Sequence, residues 1–430
     1  MKSAYLAALL LCSTAGKTFC QQQDSLATQM QNYFDEAATA TRLQKQIWGI
    51  DLYGPMLLVN PATREIITNM PDSSGKLQKQ GSVYTGNLPK QFNTANTSFH
   101  WEGRDWAMLQ LPLPTGKAER VNLMAHELFH RAQPSLHFTP QDPTNNHLDK
   151  KDGRLYLRLE LNALQKALQA TSSAERRQHL TNAMTFRQYR YILFPGADTT
   201  ENALELNEGI AEYTGMMVCN RNKQDAQAHF GQYLQSFLEY PTFVRSFPYQ
   251  TIPVYGYLLA QATPGWNKLL NSHSQLTPLL IKGLHLTMPK DIKAAALAQA
   301  GQYDAAAIIV AETAREVRIQ EQIAAYTRIF ITQPHTDLRF EKMSVSFNPS
   351  NIVPLEGYGT VYPTMRISDK WGILTVTNGA LMGTNWDKVT VSLPQAFTVR
   401  EVSGQGWKLQ LNEGYTLSQD ANGNYSLKKN

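Results

Sequence analysis

The chain has 430 residues, of which 42% are hydrophobic and 17% charged, and its net charge is +5. This composition is typical of a folded globular protein and excludes a disordered chain. The Lys and Arg residues form no cluster, so nothing favours binding to nucleic acid. The length is sufficient for two or three domains with buried cores.

The first 20 residues are typical of an export signal. Lys2 provides a positive start, Ala4 to Cys12 an apolar stretch, and Ala15 the end of a small-residue cleavage site. Cleavage after Cys20 is the alternative. We therefore expect a secreted or periplasmic protein. No transmembrane segment is expected, because no later apolar run is long enough to span a bilayer.

Residues 21–115 contain short apolar runs that predict a small mixed sheet. Two of these runs are Tyr53 to Val59 and Glu65 to Ile67. Arg104 to Leu111 is a further predicted strand, which ends before Pro112 and Pro114.

A helix is predicted over Lys117 to Arg131, which lacks Pro and Gly. It contains His126, Glu127 and His130 in the pattern HExxH. Two histidines four residues apart leave the same face of a helix and can bind one tetrahedral zinc ion. Glu127 is rotated by about 100° from His126 and can accept a proton from a metal-bound water that attacks a carbonyl. The pattern predicts a zinc metallopeptidase.

The third metal ligand is expected in the predicted helix Glu201 to Tyr213, where Glu205, Glu208 and Glu212 share one face. Spacing alone does not decide which carboxylate binds the metal. The string LNEGIAEYTG resembles the second motif of the gluzincin peptidases, the group that includes thermolysin and the zinc aminopeptidases. The resemblance implies that Glu208 completes the metal site. It also implies that Glu212 hydrogen-bonds to a ligand histidine and orients it.

The resemblance covers the two motifs and, more weakly, the residues between and just after them. An interval of 77 residues separates His130 from Glu208, far more than the zinc aminopeptidases have. Helical periodicity in Leu155 to Leu168 and in Glu175 to Tyr191 predicts an inserted helical hairpin, within residues 150–195, that accommodates this length. The gluzincin pattern further implies that the strand Arg104 to Leu111 pairs with an extended substrate. The alternative is an ordinary strand without substrate contact.

A peptidase of this group also needs a donor to the oxyanion that forms on the attacked carbonyl. Aligned with the zinc aminopeptidase pattern, Tyr249 takes the place of this donor, although Ile252 stands where that pattern has glycine. Tyr255 is the alternative donor. Either tyrosine could instead be a core residue with its hydroxyl bonded internally.

After Pro334 the sequence alternates apolar and polar residues between turns, as in Gly372 to Val376, Phe397 to Val402 and Trp407 to Leu411. This pattern predicts a β-sandwich over residues 334–430. A second LNEG string, Leu411 to Gly414, lies among these strands and is interpreted as unrelated to the metal site.

Together these elements predict an α+β protein: a signal peptide at 1–20, a mixed β region at 21–115, a zincin-like, mainly helical core at 116–333 and a β-sandwich at 334–430. The predicted function is a secreted, zinc-dependent peptidase that acts on peptides or proteins. Endopeptidase action is slightly favoured over aminopeptidase action, because no GxMEN-type motif is present. The alternative is an inactive exported binding protein whose C-terminal β-domain recognises a glycan or a protein.

Overall fold

The structure is a computed structural model that describes residues 26–348 and 352–429. The expected signal peptide, with its cleavage sites after residues 15 and 20, lies outside the described residues. Helices and sheets are mixed along the chain, as expected for an α+β protein. Among the described residues, no helix combines the length and apolar character that a membrane span needs.

The described residues contain the α-helices and strands that are labelled here in chain order. The helices are α1 (residues 26–43), α2 (Lys117–Ala132), α3 (Lys151–Gln169), α4 (Ser173–Leu193), α5 (Ala197–Leu204), α6 (Ile210–Val218), α7 (Lys223–Leu238), α8 (Pro248–Ala262), α9 (Leu276–Gly283), α10 (Ile292–Gln299) and α11 (Ala305–Thr327). Turns of π-helix follow α5 and α11, at Glu205–Gly209 and Arg328–Thr332.

The strands comprise a first group before α2 and a second group after α11. The first group is β1 (Met56–Val59), β2 (Glu65–Thr68), β3 (Gln78–Gln80), β4 (Val83–Asn87), β5 (Thr97–Trp101) and β6 (Arg104–Gln110). The second group is β7 (Thr336–Arg339), β8 (Ser344–Phe347), β9 (Val353–Leu355), β10 (Gly359–Tyr362), β11 (Met365–Asp369), β12 (Gly372–Val376), β13 (Ala380–Gly383), β14 (Lys388–Val391), β15 (Pro394–Phe397), β16 (Glu401–Gly404), β17 (Trp407–Leu411), β18 (Tyr415–Gln419) and β19 (Tyr425–Lys429).

The structure divides into two compact units, the first of which has residues 26–90, 94–137 and 214–220 of the described chain. Its sheet has the strand order β3-β4-β2-β1-β6-β5, and only the β1 and β6 pair is parallel. Strand β6, predicted from Arg104 to Leu111, is therefore paired on both sides. Because its backbone groups already bond to β1 and β5, the ordinary-strand interpretation is favoured over pairing with a substrate.

Helix α2 packs against strands β5 and β6 of this sheet. Its buried apolar side includes Val121, Met124, Leu128 and Phe129. The ring of Trp48 lies 5.1 Å from that of Phe129 and covers part of the same side. Within the first unit, this packing groups α2 with the N-terminal sheet.

The second unit has residues 91–93, 138–213 and 221–429 of the described chain. Helices α3 and α4 pack against each other as the expected hairpin. The C-terminal strands form two sheets, of order β18-β19-β7-β14-β13-β10-β9 and β15-β16-β17-β12-β11-β8. Side chains from both sheets share one apolar core, which includes Leu338, Val389, Ile367 and Leu374.

Two predictions for the C-terminal sequence can be compared directly with the structure. The single strand predicted over Phe397 to Val402 is wrong, because β15 ends at Phe397 and β16 begins at Glu401 as an antiparallel hairpin. The second LNEG string forms the turn between β17 and β18, where Gly414 adopts the left-handed φ of +86°. Glu413 of this string is exposed and 3.6 Å from Arg400, so it belongs to a surface turn.

Candidate metal centre

The HExxH residues lie in the second half of α2, between apolar side chains that pack on the sheet. His126 is 4% exposed and Glu127 3% exposed, while His130 is half-buried. The Nε2 atoms of the two histidines lie 3.0 Å apart. Two nitrogens bound at about 2.0–2.1 Å to one tetrahedral zinc ion would be separated by about 3.3 Å. The pair therefore fits a shared metal ion with little rearrangement.

The other ring nitrogen of His130 faces the side-chain amide of Gln133, the residue directly after α2. Nδ1 of His130 lies 3.0 Å from Oε1 of Gln133, which is buried. An amide oxygen only accepts hydrogen bonds, so this contact requires the tautomer with the proton on Nδ1 and the lone pair on Nε2. This is the tautomer that a metal ligand needs. Sequence reasoning missed Gln133, although its position three residues after His130 gave the signal.

The helix predicted over Glu201 to Tyr213 is interrupted by the π turn Glu205–Gly209. A π turn contains more residues per turn than the α-helix on which the shared face was predicted. Both oxygens of Glu205 accept from Arg187, at 2.7 and 2.9 Å, and Glu205 is fully buried. Glu208 is half-buried and its Oε2 accepts from the hydroxyl of Tyr249 at 2.6 Å. Glu205 and Glu208 thus differ in burial and in partners, since Arg187 binds Glu205 and Tyr249 binds Glu208.

Helix α8 packs closely on the π turn because Gly209 has no side chain. A Cβ atom at Gly209 would lie 2.8 Å from Cβ and Cγ1 of Ile252 and 3.2 Å from the carbonyl oxygen of Pro248. This contact gives Ile252, which departs from the aminopeptidase pattern, a packing role. It also brings Tyr249 of α8 to Glu208.

Replacing Gly209 by Ala is expected to lower the free energy of unfolding by about 1–3 kcal/mol, the usual cost of overpacking a filled core. The measurement is urea unfolding followed by circular dichroism. Gly231→Ala in α7 is the matched control, since a Cβ atom there meets nothing within 4 Å. It is expected to raise stability by up to about 1 kcal/mol. An unchanged midpoint for Gly209→Ala would show that α8 can move away freely.

The second half of α6 packs directly on α2 within the first unit. A Cβ atom at Gly215 would lie 2.6 Å from the carbonyl oxygen of Asn122, so the two helices approach closely there. The thiol of Cys219, a free cysteine, lies 2.9 Å from the carbonyl oxygen of Ala118. Within the first unit, the second half of α6 is therefore packed on α2.

The two candidate oxyanion donors have different surroundings. Tyr255 is fully buried, and its hydroxyl donates to Oε1 of Glu160 at 3.0 Å. Burial raises the pKa of Tyr255 well above its usual value. Tyr249, in the first turn of α8, bonds instead to Glu208. Of the two, Tyr255 is thus a core tyrosine.

Tyr255 contacts Glu160 and Arg187, which belong to a group of five fully buried charged side chains. We call this group the ionic cluster: Glu160, Arg187, Arg190, Glu201 and Glu205. Arg187 donates to Glu205 and also to Glu160, at 2.7 Å. Arg190 donates to Glu160 at 2.8 Å and to both oxygens of Glu201, at 2.7 and 2.8 Å. The cluster is a continuous chain of alternating charges from Glu201 to Glu205.

The two end carboxyls of the ionic cluster differ in pKa. Burial raises the pKa of Glu205, since it outweighs the charge of Arg187 and the hydrogen bonds from Arg187 and Thr251. Burial also opposes ionisation of Glu201, but the charge and hydrogen bonds of Arg190 and a hydrogen bond from His147 lower its pKa to about 2. Nε2 of His147 lies 2.7 Å from Glu201. Both carboxyls are thus structural partners of arginine.

Within the described residues, one group of His, Cys, Asp and Glu side chains could hold a metal ion. It consists of His126, His130 and Glu208, each with one ligand atom, and these are the three residues that the motifs indicated. Glu212 is buried in α6 and is not in this group. No family model, curated protein or solved structure matches the chain.

Proposed function

We propose that the protein is a zinc-dependent peptidase of gluzincin type with a zincin-like core, in which His126, His130 and Glu208 bind the metal. One observation carries the proposal. The described side chains that could hold a metal ion are the two histidines of the HExxH motif and the glutamate that the resemblance of the NEG string implied as the third ligand. The ligand set of two imidazoles and one carboxylate suits zinc.

Zinc, when bound, supplies a water of lowered pKa and polarises the carbonyl of the substrate. Glu127 is the general base that takes the proton of this water and then delivers it to the leaving amine. Tyr249, whose hydroxyl donates to Glu208 in the structure, would donate instead to the oxyanion of the attacked carbonyl when substrate is bound. Gln133 holds the tautomer of His130, as its distance to Nδ1 supports. Glu212 would orient a ligand histidine in the same manner.

The proposed substrate is a peptide or a protein, and endopeptidase action is favoured over aminopeptidase action. The N-terminal sequence supports a secreted or periplasmic location. Direct attack by water leaves no covalent intermediate on the enzyme.

The purified protein is expected to contain about one zinc ion per chain and to cleave casein, because a three-residue ligand set binds a single zinc ion tightly. The measurement is metal analysis together with a casein assay. Removing zinc with a chelator should abolish cleavage, and adding zinc should restore it. A matched control is the His126→Ala and His130→Ala double variant, which should contain no zinc. A purified wild-type protein that binds no zinc, and that does not cleave casein after zinc is added, would exclude the proposal.

A second candidate function, ligand binding at the C-terminal sheets, is favoured by a cavity of about 520 Å³ in the second unit. Its lining includes Asn146, Lys150, Glu316, Thr360 and Trp386. Trp386 has a φ of +55°, a strained conformation that often accompanies binding sites. A volume of this size accommodates a small ligand with polar groups, such as a glycan unit. Glycan binding that persists after zinc removal, without cleavage of casein, would favour this function.

A further inference from the structure

The ionic cluster is not explained by protein stability alone. Removing charges from water is costly, and an apolar core of similar volume is often equally stable or more stable. Here five charged side chains are fully buried together. Three of them, Glu160, Arg187 and Arg190, come from the α3–α4 hairpin that lengthens the chain between the two motifs. At this place the hairpin thus contributes charged side chains and their hydrogen bonds rather than apolar packing.

The contacts of the ionic cluster end at the π turn that carries Glu208. Arg187 binds both oxygens of Glu205 in a planar fork, and Thr251 of α8 donates to Oε1 of the same carboxylate at 2.6 Å. Glu205 is the first residue of the π turn, and Glu208 is the fourth. With three donors on its side chain, Glu205 cannot rotate without breaking charged hydrogen bonds.

Arg187 is itself held from its other side. Its Nε donates to Glu160, whose second oxygen accepts from Arg190 and whose first also accepts from Tyr255. Arg190 in turn is fixed by Glu201. The guanidinium of Arg187 is therefore held by a hydrogen-bond network of residues on α3, α4, α5 and α8.

We propose that Arg187 is a positioning residue for metal binding: through Glu205, the inserted α3–α4 hairpin holds the π turn in the conformation in which Glu208 serves as ligand. The inference rests on the proposed function, since it takes Glu208 as the ligand. Turns of π-helix are rare and occur mostly as single turns within α-helices, frequently at functional sites. The hydrogen bonds from Arg187 and Thr251 to Glu205 hold this one.

The test measures zinc affinity of the full-length protein by competition with a chelating dye, alongside the thermal unfolding of the metal-free form. Arg187→Ala would leave two carboxylates buried without their partner and is expected to unfold the protein. Thr251→Val is milder, as it removes one donor from Glu205 and keeps the shape. It is expected to weaken zinc affinity by about 10-fold or more, as for other groups that orient metal ligands. Thr251→Ser should restore the affinity.

Thr185→Val is the matched control, because it removes a buried Thr hydroxyl that donates to the carbonyl oxygen of Thr181 within α4, at 2.8 Å, and not to the ionic cluster. It should lower the unfolding temperature to a similar extent as Thr251→Val and change zinc affinity by less than about threefold. Equal losses of affinity in the two variants would indicate general loosening, and no loss in Thr251→Val would remove the link from Glu205 to Glu208. Either result overturns the inference, whereas a wild-type protein that binds no zinc would overturn the proposed function itself.

Discussion

Replacing Glu127 by Gln is expected to lower the turnover of casein by at least about a hundredfold, the usual contribution of a general base. Gln has the shape of Glu but accepts no proton at neutral pH, so the attacking water keeps its proton. Glu127 follows the first histidine and is not in the described metal-binding group, so the zinc content should remain that of the wild type. The measurements are metal analysis and steady-state kinetics on the same preparation.

Glu119→Gln is the matched control for this change. Glu119 lies in the first turn of α2 and is exposed, so removal of its charge should alter neither zinc content nor turnover. A Glu127→Gln variant with wild-type turnover would show that another group accepts the proton. Loss of zinc in that variant would show instead that Glu127 supports the metal ligands.

Elements with a local signal could be predicted from the sequence. Helix α2 and the α3–α4 hairpin follow from apolar periodicity without Pro or Gly, and the structure places them within a few residues of the predicted bounds. The two histidines could be paired for the same reason, since their spacing within one helix fixes their distance. Strands β12 and β17 match their predicted bounds because turn residues border them.

Features that depend on distant contacts could not be predicted. The π turn at Glu205–Gly209 has no local pattern of its own, because contacts to Arg187 and to α8 hold it. The sequence alone does not show those partners, so Glu205 and Glu208 were equivalent candidates for the third metal ligand. The position of β6 inside the sheet depends on pairing with β1, which is far from it in the chain. The hairpin between β15 and β16 lacked a clear turn signal, since only Thr398 to Arg400 connect the strands.

The second large effect is expected at Glu208. Glu208→Ala removes one of three proposed ligands and leaves two imidazoles, which cannot complete a tetrahedral site with protein ligands, so zinc should be largely lost. Circular dichroism should show a folded protein, because the ionic cluster bonds to Glu205 and not to Glu208. Zinc content after dialysis against a weak chelator is the measurement.

The Glu212→Ala variant distinguishes the role of a metal ligand from that of a residue that would orient a ligand histidine. On α6, Glu212 lies one turn after Glu208, and a single zinc ion needs only one of the two carboxylates as a ligand. If Glu212 holds a ligand imidazole in place, its loss costs about 10–100-fold in zinc affinity or activity, and zinc remains bound at saturating concentration. The two variants must therefore differ after chelator competition. Equal zinc loss would remove the distinction between them, and a larger loss for Glu212→Ala would assign the third ligand to Glu212.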